Sequence, residues 1–407
     1  VGLKLSILDR VSAWMHTSDR PLDFALLLEL KPNAPNSDAL LRGGESARHA
    51  FGQTGSRVFR DRWKWDPMDF FEVQDGVRDE QVALAMEAFL LKDFAPEAHN
   101  PVRQLLLSTD QQSFLLTRMH HAVGDGLSCL QWVEHQFAVA LGQRPPTTDA
   151  VFVPPPSIEH HETALRKTPD APKGASTRLW SSGIETTPHR QFYTLTLDAA
   201  AWRRRILAVD GLRYNDVLAG TLLETMAQWN RAHQDPTDAL SLWFPINIRT
   251  EAFSGFGNGS SRVRIYRRDP LSLLEQCQSV REQLQWARQH GEWHVPNSAV
   301  FAWPYGVQRP LVRAILRRPW VDMGSMLFSH VERLGSEGDA LMRCAHSLRF
   351  VGMLDKRFPA GFVGATHGDS TWMTLCWDSG LWNTDEAMEF LALYRQNLDL
   401  LAVELDG

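Results

Sequence analysis

The sequence predicts an α/β protein built as two halves, and three observations predict it. Short apolar runs alternate with segments of helical period towards both ends of the chain. A proline-dense stretch, residues 142–190, interrupts that alternation. The length of 407 residues exceeds what one core usually serves, at about 150 residues per domain. The expected organisation is an N-terminal unit over 1–141, a linker or surface crossover over 142–190, and a C-terminal unit over 191–407.

Residues 21–30, P-L-D-F-A-L-L-L-E-L, are short and apolar, which predicts a strand. Over 79–92, Val82, Ala85, Met86 and Leu90 recur at helical spacing. Residues 101–107 and 113–119 read as two strands joined by the polar turn T-D-Q-Q at 109–112, and a helix is expected over 127–141. Prolines at 145, 146, 154, 155, 156, 169, 172 and 188 mark the crossover. Beyond it, 191–197 reads as a strand leading through Asp198 into a helix. Residues 214–229 are apolar at helical spacing, with Asn215 or Asp216 able to cap the first turn. Residues 240–248 read as a buried strand and 262–266 as a half-exposed one. A long helix over 272–290, a strand over 371–377 and a closing amphipathic helix over 384–404 complete the reading.

The composition excludes several function classes. The chain is 43% hydrophobic and 22% charged, as globular chains are. A net charge of -6 gives no basic face for nucleic acid. Cysteines 129, 277, 344 and 376 form no C-x-x-C pair, so neither a zinc site nor a redox motif is indicated. No apolar run approaches the roughly 18 residues of a membrane span. Lys4, Asp9 and Arg10 interrupt any signal-peptide core, so a cytoplasmic location is expected. Fifteen tryptophans serve packing or line a pocket, and the count does not choose between them.

The chemistry concentrates in His120-His121-Ala122-Val123-Gly124-Asp125-Gly126, which reads H-H-x-x-x-D-G. A strand that ends in two histidines, a tight turn and a helix holds an imidazole at a chain reversal, where a general base can work. Taken singly, a His-His pair can be surface polarity and Asp-Gly a simple turn. The whole pattern at a strand–turn–helix junction points to a site. Four residues beyond His121, Asp125 can point away from the ring and hold the loop through an arginine. Gly124 and Gly126 permit sharp backbone geometry, and the following helix offers N–H groups and a positive dipole end. A second cluster comprises Y-N-D-V-L-A at 214–219, P-I-N-I-R at 245–249 and G-F-G-N-G at 255–259. Arg249 ends an apolar strand, and a guanidinium there calls for a carboxylate partner. The histidine-bearing runs H-H-E at 160–162 and H-G-E-W-H at 290–294 lack a full ligand set, so no metal is expected. Residues 311–320, with Arg313, Arg317 and Arg318 among apolar neighbours, suit a membrane surface, an acidic carrier protein, a nucleotide phosphate or a solvated face.

H-H-A-V-G-D-G, N-D-V-L-A, P-I-N-I-R and G-F-G-N occur here in the order found in bacterial wax ester synthase/diacylglycerol acyltransferase proteins, which the chain resembles over nearly its whole length. More broadly it resembles the superfamily of chloramphenicol acetyltransferase, the plant BAHD acyltransferases and the condensation domains of nonribosomal peptide synthetases. The resemblance implies two chloramphenicol-acetyltransferase-like α/β subdomains with an active-site tunnel at their interface. It implies a donor that is acyl-CoA or an acyl carrier protein, and a small alcohol or amine acceptor. The acyl thioester is then a co-substrate, and no cofactor is needed. His121 is the expected general base, His120 a positional neighbour, and Asp125 a brace paired with Arg249 as structural support. The Gly126 backbone and the Asn258 side chain are candidate oxyanion donors, and Asn215, Asp216 and Asn258 fall on the second unit's face of the tunnel. Wax-ester or acylglycerol-type O-acylation is the favoured reaction, with peripheral membrane contact and a monomeric or weakly dimeric state as companion expectations. The chain departs from the pattern in being shorter, in carrying F-S-H-V-E-R-L-G at 328–335 where the family has S-N-V-P-G-P, and in matching the opening motif only in part with L-S-I-L-D at 5–9. A free-standing condensation enzyme and a catalytically silent binding member of the fold therefore stay open.

Overall fold

Two large sheets organise the computed structural model, which describes residues 4–16, 22–145, 172, 176–183, 190–209, 211–249, 255–290, 303–316, 324–332, 339–352 and 359–406. The N-terminal half runs α1 (Ile7–Met15), β1 (Asp23–Leu30), α2 (Ser37–Ala50), β2 (Ser56–Phe59), β3 (Arg62–Trp65), β4 (Phe71–Asp75), α3 (Asp79–Leu91), β5 (Val102–Ser108), β6 (Ser113–His120) and α4 (Gly126–Ala140). After the crossover come β7 (Arg190–Asp198), α5 (Ala199–Ile206), α6 (Tyr214–Ala232), β8 (Ser241–Asn247), β9 (Ser260–Tyr266), α7 (Leu273–His290) and α8 (Tyr305–Leu316). The chain closes with β10 (Met326–Val331), α9 (Ala340–Cys344), β11 (Ala345–Val351), β12 (Ala360–His367), β13 (Ser370–Asp378) and α10 (Thr384–Asp406).

The first sheet has the order β11-β1-β6-β5-β4 and the second β7-β13-β12-β10-β8-β9, while β2 and β3 form a separate ribbon. In the first sheet only β4 runs parallel to its neighbour. In the second sheet β8, β10 and β12 are mutually parallel and the other pairings are antiparallel. The expected 191–407 unit therefore lends a strand to the first sheet: β11 pairs with β1 from Ala25 opposite Val351 to Leu30 opposite Ala345.

The near-continuous apolar run of β1 follows from burial on both faces. The second sheet is two-sided in the same way. Leu327, Val363, Ala365, Trp372 and Cys376 join the first core, while Phe328, Phe362, Met373, Leu375 and Trp377 join the second, with α6, α7 and α10. The loop at 255–259 crosses over as well, because Phe256 is buried in the first core and stacks on Phe51 at 4.4 Å.

Residues 176–183 of the proline-dense stretch pack on the second unit. Trp180 stacks on His233 at 3.6 Å, and its carbonyl accepts the indole N–H groups of Trp229 and Trp382. The metal-suspect run 160–162 and His294 lie outside the described residues. His290 stacks on Trp286 at 4.2 Å. In the basic stretch, Arg313 donates from Nε to the Trp14 carbonyl, so α8 packs on α1, while residues 317–320 lie outside the description. Among the described residues no helix is long and apolar enough to cross a membrane.

Candidate active site

Strand β6 delivers the two histidines, and each is handled differently. His120 sits opposite Asp23 of β1 and is fully buried. Its Nδ1 accepts the Ala122 backbone N–H at 2.9 Å, and its Nε2 lies 3.0 Å from His16 Nδ1. Burial pushes the His120 imidazole well below its ordinary range, so it is neutral. His121 is half-buried. Its backbone N–H donates to the Leu22 carbonyl at 2.9 Å, its ring lies 4.6 Å from that of Phe24, and the ring also bonds to the Gly124 backbone. Burial lowers the His121 pKa, against the opposing pull of the Asp125 and Asp23 charges.

Asp125 points away from His121. It is the N-cap of α4, where Oδ1 accepts the Ser128 N–H at 3.0 Å. Arg249 donates to both its oxygens at 2.8 Å, and the Gly259 N–H reaches Oδ2 at 2.9 Å. Its side chain is 6% exposed and that of Arg249 8%, so the pair is removed from water with its acceptors filled. Arg249 also donates to the carbonyls of Gly255 and Gly257. Ser128 completes the clamp: its hydroxyl donates to the Gly257 carbonyl at 2.7 Å and accepts the Gly257 N–H at 2.9 Å. A side chain at position 259 would start 2.3 Å from the guanidinium carbon, so only glycine lets Arg249 lie there. Gly124 has a similar constraint, since a Cβ there would lie 2.8 Å from Ser128 Cβ. Gly126 opens α4, and a Cβ there would meet the Phe350 ring at an ordinary 3.7 Å, so packing does not demand glycine at this position.

Asn258 has a different part from the one expected. Its amide nitrogen donates to the His121 carbonyl at 2.6 Å and to Asp9 at 3.0 Å, so both its hydrogens are engaged. It is thus a strut between α1, the histidine turn and the 255–259 loop, and it has no hydrogen left for an oxyanion. Burial raises the Asp9 carboxyl, against the hydrogen bonds from Asn258 and Ser6.

Asn215 and Asp216 find their partners inside the second unit. Asn215 Oδ1 accepts from His330 Nδ1, whose other nitrogen lies 2.8 Å from Thr366 Oγ1. Burial lowers the His330 imidazole to about 3, which fixes it as neutral. Asp216 is 1% exposed and accepts the Arg213 N–H at 2.9 Å, so it caps α6 from within the first turn. Burial raises its carboxyl from 3.8 to about 6, which the Arg213 backbone and Arg281 only partly oppose. An acid whose pKa is raised on folding contributes stability fully below its unfolded value and loses it as pH rises through the folded value. Asp216→Asn is therefore expected to raise Tm above about pH 6 and to leave it unchanged near pH 4, with a gain of up to about 3 kcal/mol at neutral pH. Thermal melts across that range check it, and a variant that melts lower at pH 8 contradicts it.

Several site residues carried no motif. Asp23 is buried between Arg118 and Arg190, with Arg118 Nε donating to Oδ2 and Arg190 Nη2 to Oδ1 at 3.2 Å. Burial alone would raise this carboxyl, but the two guanidinium groups hold it well below its usual range. The triad ties the start of β7 to the strand pair beneath the histidines. Charges inside the apolar runs at 21–30 and 113–119 were the available signal.

No family model matches the chain, and no curated protein matches it. Solved structures do. The first condensation domain of the calcium-dependent antibiotic synthetase, solved with a substrate analogue, aligns with a TM-score of 0.72 at 13% identity, over 100% of this chain and 97% of that one. The starter condensation domain of rhizomide synthetase, in complex with C8-CoA and Leu-SNAC, gives 0.69 at 12%, over 100% and 95%. The wax ester synthase/diacylglycerol acyltransferase from Marinobacter aquaeolei VT8 gives 0.60 at 15%, over 98% and 99%. The chain thus has the two-sheet fold common to condensation domains and to that wax ester synthase.

Proposed function

We propose that this chain is an acyltransferase that moves an acyl group from a thioester, acyl-CoA or carrier-bound, to a small alcohol or amine. The observation that carries the reading is the state of His121. It is the histidine of the pair that keeps partial exposure, its backbone is fixed by Leu22 and Asn258, and burial keeps the imidazole neutral. A neutral imidazole anchored through one nitrogen offers the other as a base.

In the proposed reaction His121 takes the acceptor's proton as its oxygen or nitrogen attacks the thioester carbonyl. The tetrahedral oxyanion is received by first-turn amides of α4, at Gly126 and Leu127. Collapse breaks the carbon–sulfur bond, and the leaving thiolate takes the proton back from His121. No acyl-enzyme is involved. Cys129 and Cys376 are buried, and burial pushes the Cys129 thiol far up and the Cys376 thiol to about 12.

The resemblance in N-D-V-L-A and P-I-N-I-R favours O-acylation of the wax-ester or acylglycerol type, with peripheral membrane contact. The second reading, ester or amide condensation in a specialised pathway, is supported by the fold shared with condensation domains. Acyl thioesters of several chain lengths, offered with a panel of long-chain alcohols, acylglycerols and amines, separate the two by product mass. Thiol release is expected only with an acceptor present. Release with no acceptor would mean hydrolysis of the thioester in place of transfer, and release with none of the pairs would leave a binding role; either overturns acyl transfer.

A further inference from the structure

We infer that His16, outside the His-His motif, is a positioning residue of the acyl-transfer site, and that the site works only while His16 is neutral. The argument is one of proton bookkeeping along a chain of rings. The Ala122 N–H points at His120 Nδ1 at 2.9 Å, so that nitrogen carries a lone pair and the single His120 proton sits on Nε2. Nε2–H then donates to His16 Nδ1 at 3.0 Å, across rings 4.8 Å apart. The Leu22 N–H points at the same His16 nitrogen at 3.2 Å. Two donors converge on His16 Nδ1, so it too carries a lone pair, and its proton sits on Nε2.

Leu22 links this ring to the base. Its N–H is held by His16, and its carbonyl accepts the His121 N–H at 2.9 Å. His16 therefore fixes both the tautomer of His120 and the peptide from which His121 projects. A proton added to His16 Nδ1 would face two N–H donors at once. It would release the start of β1 and the His120 ring together. His16 is 7% exposed, at the C-cap of α1. The charged groups facing it are Asp23 on β1, Asp93 and Glu97 beyond α3, and Arg118 on β6. Burial lowers its pKa, against the raising pull of the three carboxylates, so it is neutral at ordinary pH and charges only in acid.

The inference rests on the proposed role of His121 for its kinetic part only, since the tautomers can be read without turnover. In the full chain carrying isotope-labelled histidine, long-range proton–nitrogen NMR is expected to show His16 and His120 both protonated at Nε2 near neutral pH. His16→Leu removes the acceptor, and a fold drop in kcat/KM of about ten or more is expected at near-neutral pH with circular dichroism unchanged. His16→Asn keeps an acceptor in the place of Nδ1 and is expected to stay within about threefold of the parent. The acid limb of kcat/KM should steepen to two protons in the parent and fall to one in His16→Asn, which has no imidazole to charge. A merely structural role would not change that slope. A one-proton limb in the parent, parental rates in His16→Leu, or a His120 proton on Nδ1 each overturns the inference. Undiminished turnover in His121→Ala sinks the proposed function instead and leaves the tautomer result standing.

Discussion

His121→Ala is expected to lower kcat by about 10²–10⁴-fold, the usual worth of a general base, with an unchanged melting temperature. The ring is half-buried and its contacts are modest, a tilted face against Phe24 and a bond to the Gly124 backbone, so its loss leaves the core intact. The peptide at 121 is held by backbone groups that alanine retains, through Leu22 and Asn258. His120→Ala is the control. It removes the acceptor of the Ala122 N–H and a fully buried ring, so activity and Tm are expected to fall together. Near-normal turnover in His121→Ala would remove the base from the mechanism. The pH profile gives a second check. Burial lowers the His121 pKa below the ordinary 6.5, so the base form persists into mild acid. Activity is expected to hold on moving below pH 6.5 and to fall only as pH drops through the lowered value.

The second large effect belongs to Asp125 and Arg249. Asp125→Asn is expected to lose activity and thermal stability together, because it leaves a buried guanidinium without its counter-charge. Breaking such a pair from one side costs about 3–5 kcal/mol. Arg249→Met strands the carboxylate instead and is expected to cost a similar amount. The double variant Asp125→Asn/Arg249→Met should recover part of the loss, with a coupling of about 0.5–3 kcal/mol in a double-mutant cycle. Denaturant titration of the four proteins measures it. Additive losses would mean that the two residues act separately. If Asp125→Asn kept its Tm while activity vanished, the carboxylate would be acting on the reaction itself.

The legible parts of this protein were those written locally. The strand at 21–30, the hairpin that ends in His120 and the helices from Asp79, Gly126, Tyr214 and Thr384 carry their period in consecutive residues, and the last three of these helices their caps as well. What escaped depended on distant partners. β11, β12 and β10 are short runs whose sheet membership is fixed only by what lies beside them. The partnership of Asp125 and Arg249 was expected from two halves of the chain that each look incomplete alone. Asn258 was read as a site residue, but its strut role escaped because a side-chain amide near a turn gives no hint of its acceptors, which proved to be Asp9 and the His121 carbonyl. His16 escaped for the same reason: its ring gains meaning from His120, 104 positions away. The capping role between Asn215 and Asp216 went to Asp216, which left Asn215 to His330.

The crossing of β11 into the first sheet bears on how the chain is made. During synthesis from the N-terminus, β1, β6, β5 and β4 leave the ribosome long before residues 345–351 do. Until then, the side of β1 from Ala25 to Leu30 is an open, apolar sheet edge, the kind that recruits foreign strands. A fragment ending at the proline-dense stretch would carry that edge permanently. The histidine turn, although encoded within the first third of the chain, is thus completed only when nearly all of it has been translated.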